Sequence, residues 1–182
     1  VEPGGIARSP GAAGRVRRDI AGAEGIEGKR VAMAGGGDAA FDYALSLAER
    51  NRVAIFVRGA ATRCLGLLRE RCEAHERIEI YLETGISEID AVGGGIVLVG
   101  SGGGGMAIPV EADYAVLALG RRPRLGFVAP DTRRRFDLLS SSGRLYLAGD
   151  VSAGIRRQAS IACGRGVEAA MMMACNLEEE RG

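Results

Sequence analysis

Val31-Ala32-Met33-Ala34-Gly35-Gly36-Gly37-Asp38-Ala39-Ala40 is an apolar run broken by three glycines and continued by helix formers. It matches the spacing G-x-G-x-x-A at the joint between a strand, Arg30 to Ala34, and a helix, Asp38 to Arg50. Ala40, Tyr43, Ala44, Leu47 and Ala48 recur at helical spacing in that helix. Each small residue has a job in such a joint. Gly35 permits the tight turn, Gly37 lets a phosphate approach the backbone, and Ala40 lets helix and strand pack closely. The open amides of Gly36, Gly37, Asp38 and Ala39 then face an anion at the helix start. A bare strand-to-helix turn also satisfies the pattern. The second strand at the expected distance, Arg52 to Val57, favours a bound dinucleotide.

The end of that second strand discriminates between nicotinamide cofactors. An acidic residue there would take a ribose 2′-hydroxyl. The chain instead reads Ile55-Phe56-Val57-Arg58-Gly59-Ala60-Ala61-Thr62-Arg63 and offers no carboxylate. Arg58 and Arg63 suit a 2′-phosphate, since guanidinium forks match phosphate geometry. Two solvated arginines are the plainer alternative. The expected cofactor is NADP(H).

Outward from this unit the pattern alternates. Arg63 to His75 is expected as a helix and Ile78 to Leu82 as a third strand. Ile86 to Val92, Gly95 to Val99 and Met106 to Val110 form a β-meander, with Gly102 to Gly105 a hairpin tip. Tyr114 to Leu119 is a further buried strand, ended by Gly120 and Pro123. Residues 1–28 show neither period and are expected as an irregular segment; residues 124–142 are expected to be irregular too. Leu145 to Ala148 reads as a final strand running into Gly149-Asp150. A helix from about Gln158 to Glu180 closes the chain. The fold class is therefore α/β, with an irregular segment over 1–28, a Rossmann-like NAD(P)-binding domain over 29–120, and a further part over 121–182.

The bulk numbers narrow the function classes. The 182 residues are 47% hydrophobic and 26% charged, enough for a core. A net charge of +1, from 24 basic and 23 acidic residues, gives no field for nucleic acid or an anionic membrane. No apolar stretch reaches the roughly 18 residues that span a bilayer. No charged-then-apolar leader is seen, so the expected location is the cytoplasm. Cys64, Cys72, Cys163 and Cys175 show no C-x-x-C spacing, and His75 is the single histidine. No metal site is expected, and the cysteines are expected to be packing or surface residues without redox duty.

With these segments in place, the chain from about Gly28 to Leu177 resembles the thioredoxin reductase family of flavoprotein oxidoreductases. Gly28-Lys29-Arg30-Val31 through Gly35-Gly36-Gly37-Asp38 is similar to the start of that family's NADPH domain. Gly37-Asp38-Ala39-Ala40-Phe41-Asp42-Tyr43-Ala44-Leu45 is similar to the ferredoxin–NADP reductases of thioredoxin-reductase type. Ala112-Asp113 to Pro123, with Gly120-x-x-Pro123, resembles the crossing back toward the flavin domain. Leu147-Ala148-Gly149-Asp150 with Arg157-Gln158-Ala159 and Gly164-x-Gly166 resembles the family's carboxyl-terminal FAD-binding segment. The resemblance implies that Asp150 meets the ribityl chain and that Gln158 and Ala159 sit by the isoalloxazine ring. It makes residues 121–182 the carboxyl-terminal part of a FAD-binding domain.

Three departures limit the resemblance. The family's opening G-x-G-x-x-G is not found ahead of residue 28, so FAD is expected only if that half is supplied. The region aligned with the redox C-x-x-C, near Arg18 to Ala21, holds no cysteine. Of the basic His-Arg-Arg-x-x-x-Arg after the second strand, Arg58 and Arg63 remain. The expected function is a thioredoxin reductase-like oxidoreductase, or its NADPH-binding subunit, passing hydride to a flavin without C-x-x-C disulfide reduction. No residue of this chain is expected as a catalytic acid, base or nucleophile. A non-catalytic NADP(H)-binding module or structural subunit is the alternative. The expected partner is a chain bearing the FAD fold, or a second copy of this one. The electron acceptor is not specified by any motif.

Overall fold

The amino-terminal stretch, expected as an irregular segment, is built into both sheets of the fold. In the computed structural model, which describes residues 5–101, 107–120, 123, 125–152, 154 and 158–179, Ala7–Arg8 (β1) and Val16–Arg17 (β2) are short strands. A 3-10 turn over Pro10–Arg15 separates them. Two-residue strands are too short to show a period, so patterning misses them. Tertiary contacts hold them instead: Ile6, Ala12, Val16 and Ala23 are buried. Asn51 fastens the end of this stretch. Its amide donates to the carbonyls of Ile26 (2.8 Å) and Leu47 (3.0 Å), and its oxygen accepts from the Lys29 N–H (3.0 Å).

The next elements follow the expected alternation. They are β3 (Arg30–Ala34), α1 (Asp38–Ala48), β4 (Arg52–Phe56), α2 (Gly66–Glu73) and β5 (Ile78–Tyr81). The meander follows as β6 (Gly85–Val92), β7 (Gly95–Ser101) and β8 (Ala107–Ala112), and then β9 (Tyr114–Leu117). The expected hairpin tip, Gly102 to Gly105, lies outside the described residues, as does Met106. Helix α2 starts three residues later than Arg63, because residues 57–65 form a loop docked on the glycine turn.

Two sheets result. The first is parallel throughout, in the order β2-β9-β3-β4-β5; the second is β1-β6-β7-β8, with β6, β7 and β8 antiparallel. Alternation along β3 explains the layering. Val31 and Met33 face α1 and α2, packing with Phe41, Ala44, Leu47, Ile55 and Cys72. Ala32 and Ala34 face the meander, packing with Phe56, Ile89, Ile96 and Leu98. The parallel sheet is thus covered on both faces, as such sheets require. With few aromatics available, Phe41 and Met33, both wholly buried, are the bulk of the helix-side core.

The chain divides into two compact units, Val1–Gly120 and Arg121–Gly182. The second contains α3 (Pro130–Arg134), α4 (Phe136–Ser141), a 3-10 turn at Gly149–Val151 and α5 (Ala159–Glu179). The stretch 124–142, expected as irregular, carries two helices of five and six residues. The first is opened by Pro130, which suits a first helical position. Leu145 to Ala148, expected as a strand, is not one. Its composition is strand-like, but a strand needs a ladder partner, and the described residues of this unit contain none. Among the described residues of this unit the one buried hydrophobic is Ala169, while Phe127 is 86% exposed and Met171 65%.

Candidate dinucleotide site

The parallel sheet changes direction beside β3. The chain moves from β3 to β4 to β5 on one side, then returns as β9 on the other. Ligands of open parallel sheets bind at such a switch point, outside the carboxyl ends of the strands. Gly35, Gly36 and Gly37 leave β3 there, and Ala118, Leu119 and Gly120 leave β9 beside them.

The three glycines differ in what they do. Gly35 continues the ladder, its N–H donating to the Phe56 carbonyl at 3.0 Å. Its φ is +152°, and a Cβ would strike the Ala118 carbonyl oxygen and lie 3.2 Å from the Ala40 Cβ. Gly35 is thus required by the closure of β9 on β3, and Ala40 by the same squeeze. A Cβ on Gly36 would lie 2.8 Å from Val57 Cγ1. At Gly37 a Cβ meets nothing within 4 Å, so its surface is the one left open. Gly37 caps α1 with extended backbone and no side-chain hydrogen bond, so the amides of Asp38 and Ala39 lead an uncapped helix end.

Arg58 and Arg63 are brought to this turn by a loop pinned at both ends. On one side Thr84 N–H donates to the Val57 carbonyl (2.9 Å) and Glu83 N–H to the Gly59 carbonyl (3.0 Å). Glu83 takes φ +53° to do so. On the other side Arg63 N–H donates to the Gly36 carbonyl at 2.6 Å. Leu65 N–H donates to the Asp38 carboxylate at 2.8 Å. Both arginines are exposed, and among the described residues no acidic side chain pairs with either. The site therefore combines, at one sheet end, an open glycine, an uncapped helix start and a docked loop that carries two exposed arginines.

Asp38, expected among the cofactor contacts, has its carboxylate committed to the loop. The Leu65 amide was not singled out from the sequence. A backbone donor has no residue-type signal, and an acid one position into a helix is common enough on dipole grounds alone. Of the thiols, Cys64 lies in this loop between Arg63 and Leu65, half-buried, while Cys72 is packed in the core. Cys72 is buried, with its Sγ 3.5 Å from the Phe41 carbonyl. Burial, with smaller contributions from Cys64 and Glu73, pushes its thiol up to about 11. It is therefore a packed thiol rather than a thiolate.

The second group of expected residues belongs to the second unit. Gly149, with φ +80°, opens the 3-10 turn that carries Asp150. Helix α5 packs along this turn. Gln158 precedes the helix and its carbonyl accepts the Ala162 N–H at 2.9 Å; Ala159 is the first helical residue. Both are exposed. Arg157 lies outside the described residues. Among the described residues no helix is long and apolar enough to cross a membrane.

No family model matches this sequence. Solved structures do match. The Lactococcus lactis thioredoxin reductase in its FR conformation gives a TM-score of 0.75 at 19% identity, covering 96% of this chain and 63% of that one. The T. acidophilum thioredoxin reductase gives 0.73 at 20%, covering 94% and 61%. The thioredoxin reductase from Streptococcus pyogenes MGAS5005 gives 0.61 at 19%, covering 98% and 62%. This chain spans less than two thirds of the length of each. Over nearly its whole length, it has the α/β, Rossmann-like fold of the matching part of the thioredoxin reductases.

Proposed function

We propose that this chain is the pyridine-nucleotide part of a thioredoxin reductase-like oxidoreductase and binds NADP(H) at the end of its parallel sheet. The observation that carries this is the docking, at the switch point, of the loop bearing Arg58 and Arg63 against the glycine turn, where Gly37 has an open face. The pyrophosphate lies against Gly37 and the amides of Asp38 and Ala39; the 2′-phosphate faces the two arginines. Gly120, beyond β9, borders the same end of the sheet.

The second unit supplies part of a flavin site, with Gly149, Asp150, Arg157, Gln158 and Ala159 as the contacts. Asp150 accepts hydrogen bonds from a polyol chain, and the start of α5 at Gln158 and Ala159 favours an electron-rich carbonyl. A partner chain bearing the FAD fold, or a second copy of this chain, covers the unit. The exposed apolar side chains of α5, Met171, Met172 and Leu177 among them, support such a covering. Nicotinamide and flavin supply the hydride chemistry when bound, and the protein supplies binding, position and exclusion of water. With no C-x-x-C in the chain, disulfide exchange lacks an attacking and resolving thiol pair.

The test is a titration of NADPH and NADH against the wild-type chain, Arg58→Ala and Arg63→Ala. NADPH binds more tightly to wild type, and each substitution narrows the gap by about 1.5–3 kcal/mol, the worth of one charge-assisted phosphate contact. Equal affinities in the wild type refute the assignment.

A further inference from the structure

We propose that Asp38 is a positioning residue that sets the preference for NADP(H) over NAD(H) without touching the 2′-phosphate. This rests on the NADP(H) reading above. A carboxylate beside a pyrophosphate seat is electrostatically adverse to the ligand, and the Asp38 carboxylate is turned to the loop instead. Asp38 Oδ1 accepts the Leu65 N–H at 2.8 Å, two residues beyond Arg63. Arg63 N–H itself donates to the Gly36 carbonyl at 2.6 Å. These two bonds dock the far end of the loop onto the glycine turn, as the Thr84 and Glu83 amides dock its near end through Val57 and Gly59. Arg58 sits within the near pin and Arg63 within the far one. Without the Asp38 contact the far end keeps one bond, and the Arg63 guanidinium pays the entropy of ordering when the phosphate arrives.

A clamp of this kind acts on the 2′-phosphate and leaves the rest of the dinucleotide alone. The readout is therefore the ratio of NADH to NADPH dissociation constants, measured on one preparation so that common losses cancel. Asp38→Ala removes the acceptor. Leu65→Pro removes the donor while leaving Asp38 intact; the Leu65 φ of −56° already suits proline, and its side chain is 65% exposed. Each lowers the ratio about tenfold, toward the Arg63→Ala value. Asp38→Asn keeps an acceptor oxygen and Leu65→Ala keeps the donor, so both retain the wild-type ratio. Asp38→Ala combined with Arg63→Ala is no worse in ratio than Arg63→Ala alone, because the two act through one contact. A wild-type preference that survives both Asp38→Ala and Leu65→Pro overturns the clamp alone. A wild-type chain with no preference overturns the cofactor assignment and the clamp with it.

Discussion

Replacing each glycine of the turn by alanine separates what holds the fold from what admits a ligand. At Gly35 the added Cβ meets the Ala118 carbonyl oxygen, with the Ala118 carbon at 3.1 Å and the Ala40 Cβ at 3.2 Å. Two of these three atoms are backbone and cannot swing aside. Overpacking of this kind costs about 1–3 kcal/mol, and the unfavourable φ adds about 1–3 kcal/mol. For a chain of this size, each kcal/mol lowers Tm by about 2–4 °C, so Gly35→Ala melts far below wild type. At Gly36 a single side chain, Val57, opposes the new methyl at 2.8 Å, and the cost falls to about 1–2 kcal/mol. At Gly37 nothing lies within 4 Å and the backbone is extended. The loss there is about 0.5–1 kcal/mol, the difference between glycine and alanine at a helix cap. Cofactor affinity runs the other way. Gly37→Ala places a methyl where the phosphate approaches and weakens NADPH by about tenfold or more while the protein stays folded. Thermal unfolding by circular dichroism, paired with calorimetric titration of the same samples, reads both quantities. If Gly37→Ala binds NADPH as wild type does, or unfolds as early as Gly35→Ala, the division of labour is wrong.

Other perturbations test the surrounding framework. Asn51→Leu strands the Ile26 and Leu47 carbonyls and the Lys29 amide, and destabilises by about 2–4 kcal/mol; chemical denaturation measures it, and proteolysis then reaches residues 1–28 first. The Cys72 thiol holds its proton more tightly folded than unfolded, so its contribution is complete below the unfolded value and is lost as pH rises toward about 11. Wild type therefore loses stability through that alkaline window more steeply than Cys72→Val, as urea titrations at stepped pH will show. At about pH 8 an alkylating reagent labels the exposed Cys163 and Cys175 and leaves Cys72 unmodified unless the protein is unfolded. Self-association of the pure chain through α5 is expected, with Met171→Glu and Met172→Glu together shifting it toward monomer in light scattering; a wild-type monomer at micromolar concentration contradicts that expectation.

The sequence revealed most where burial imposes a period. Val31 and Met33 alternate with Ala32 and Ala34 because one set packs on α1 and the other on the meander, and that dual burial makes a continuous apolar run. Gly35 was equally readable, since the backbone of Ala118 closes on it and excludes a larger residue. Patterning failed where long-range partners decide the structure. Residues 7–8 and 16–17 are strands because β6 and β9 accept them, not through any local preference. Leu145 to Ala148 has strand composition and no described partner, and is not a strand. The Leu65 amide was invisible for a related reason: its role comes from where α1 points Asp38, not from its own side chain.

Whether the carboxyl end of the parallel sheet holds a 2′-phosphorylated dinucleotide is tested most directly with two small probes. Calorimetric titration of the 182-residue chain with 2′,5′-ADP, and separately with 5′-AMP, isolates the one phosphate assigned to Arg58 and Arg63, because the probes differ by that group alone. Saturable binding of 2′,5′-ADP, at least about tenfold tighter than 5′-AMP and weakening as salt rises, is the predicted result. Equal binding of the two, or no binding of either, contradicts it.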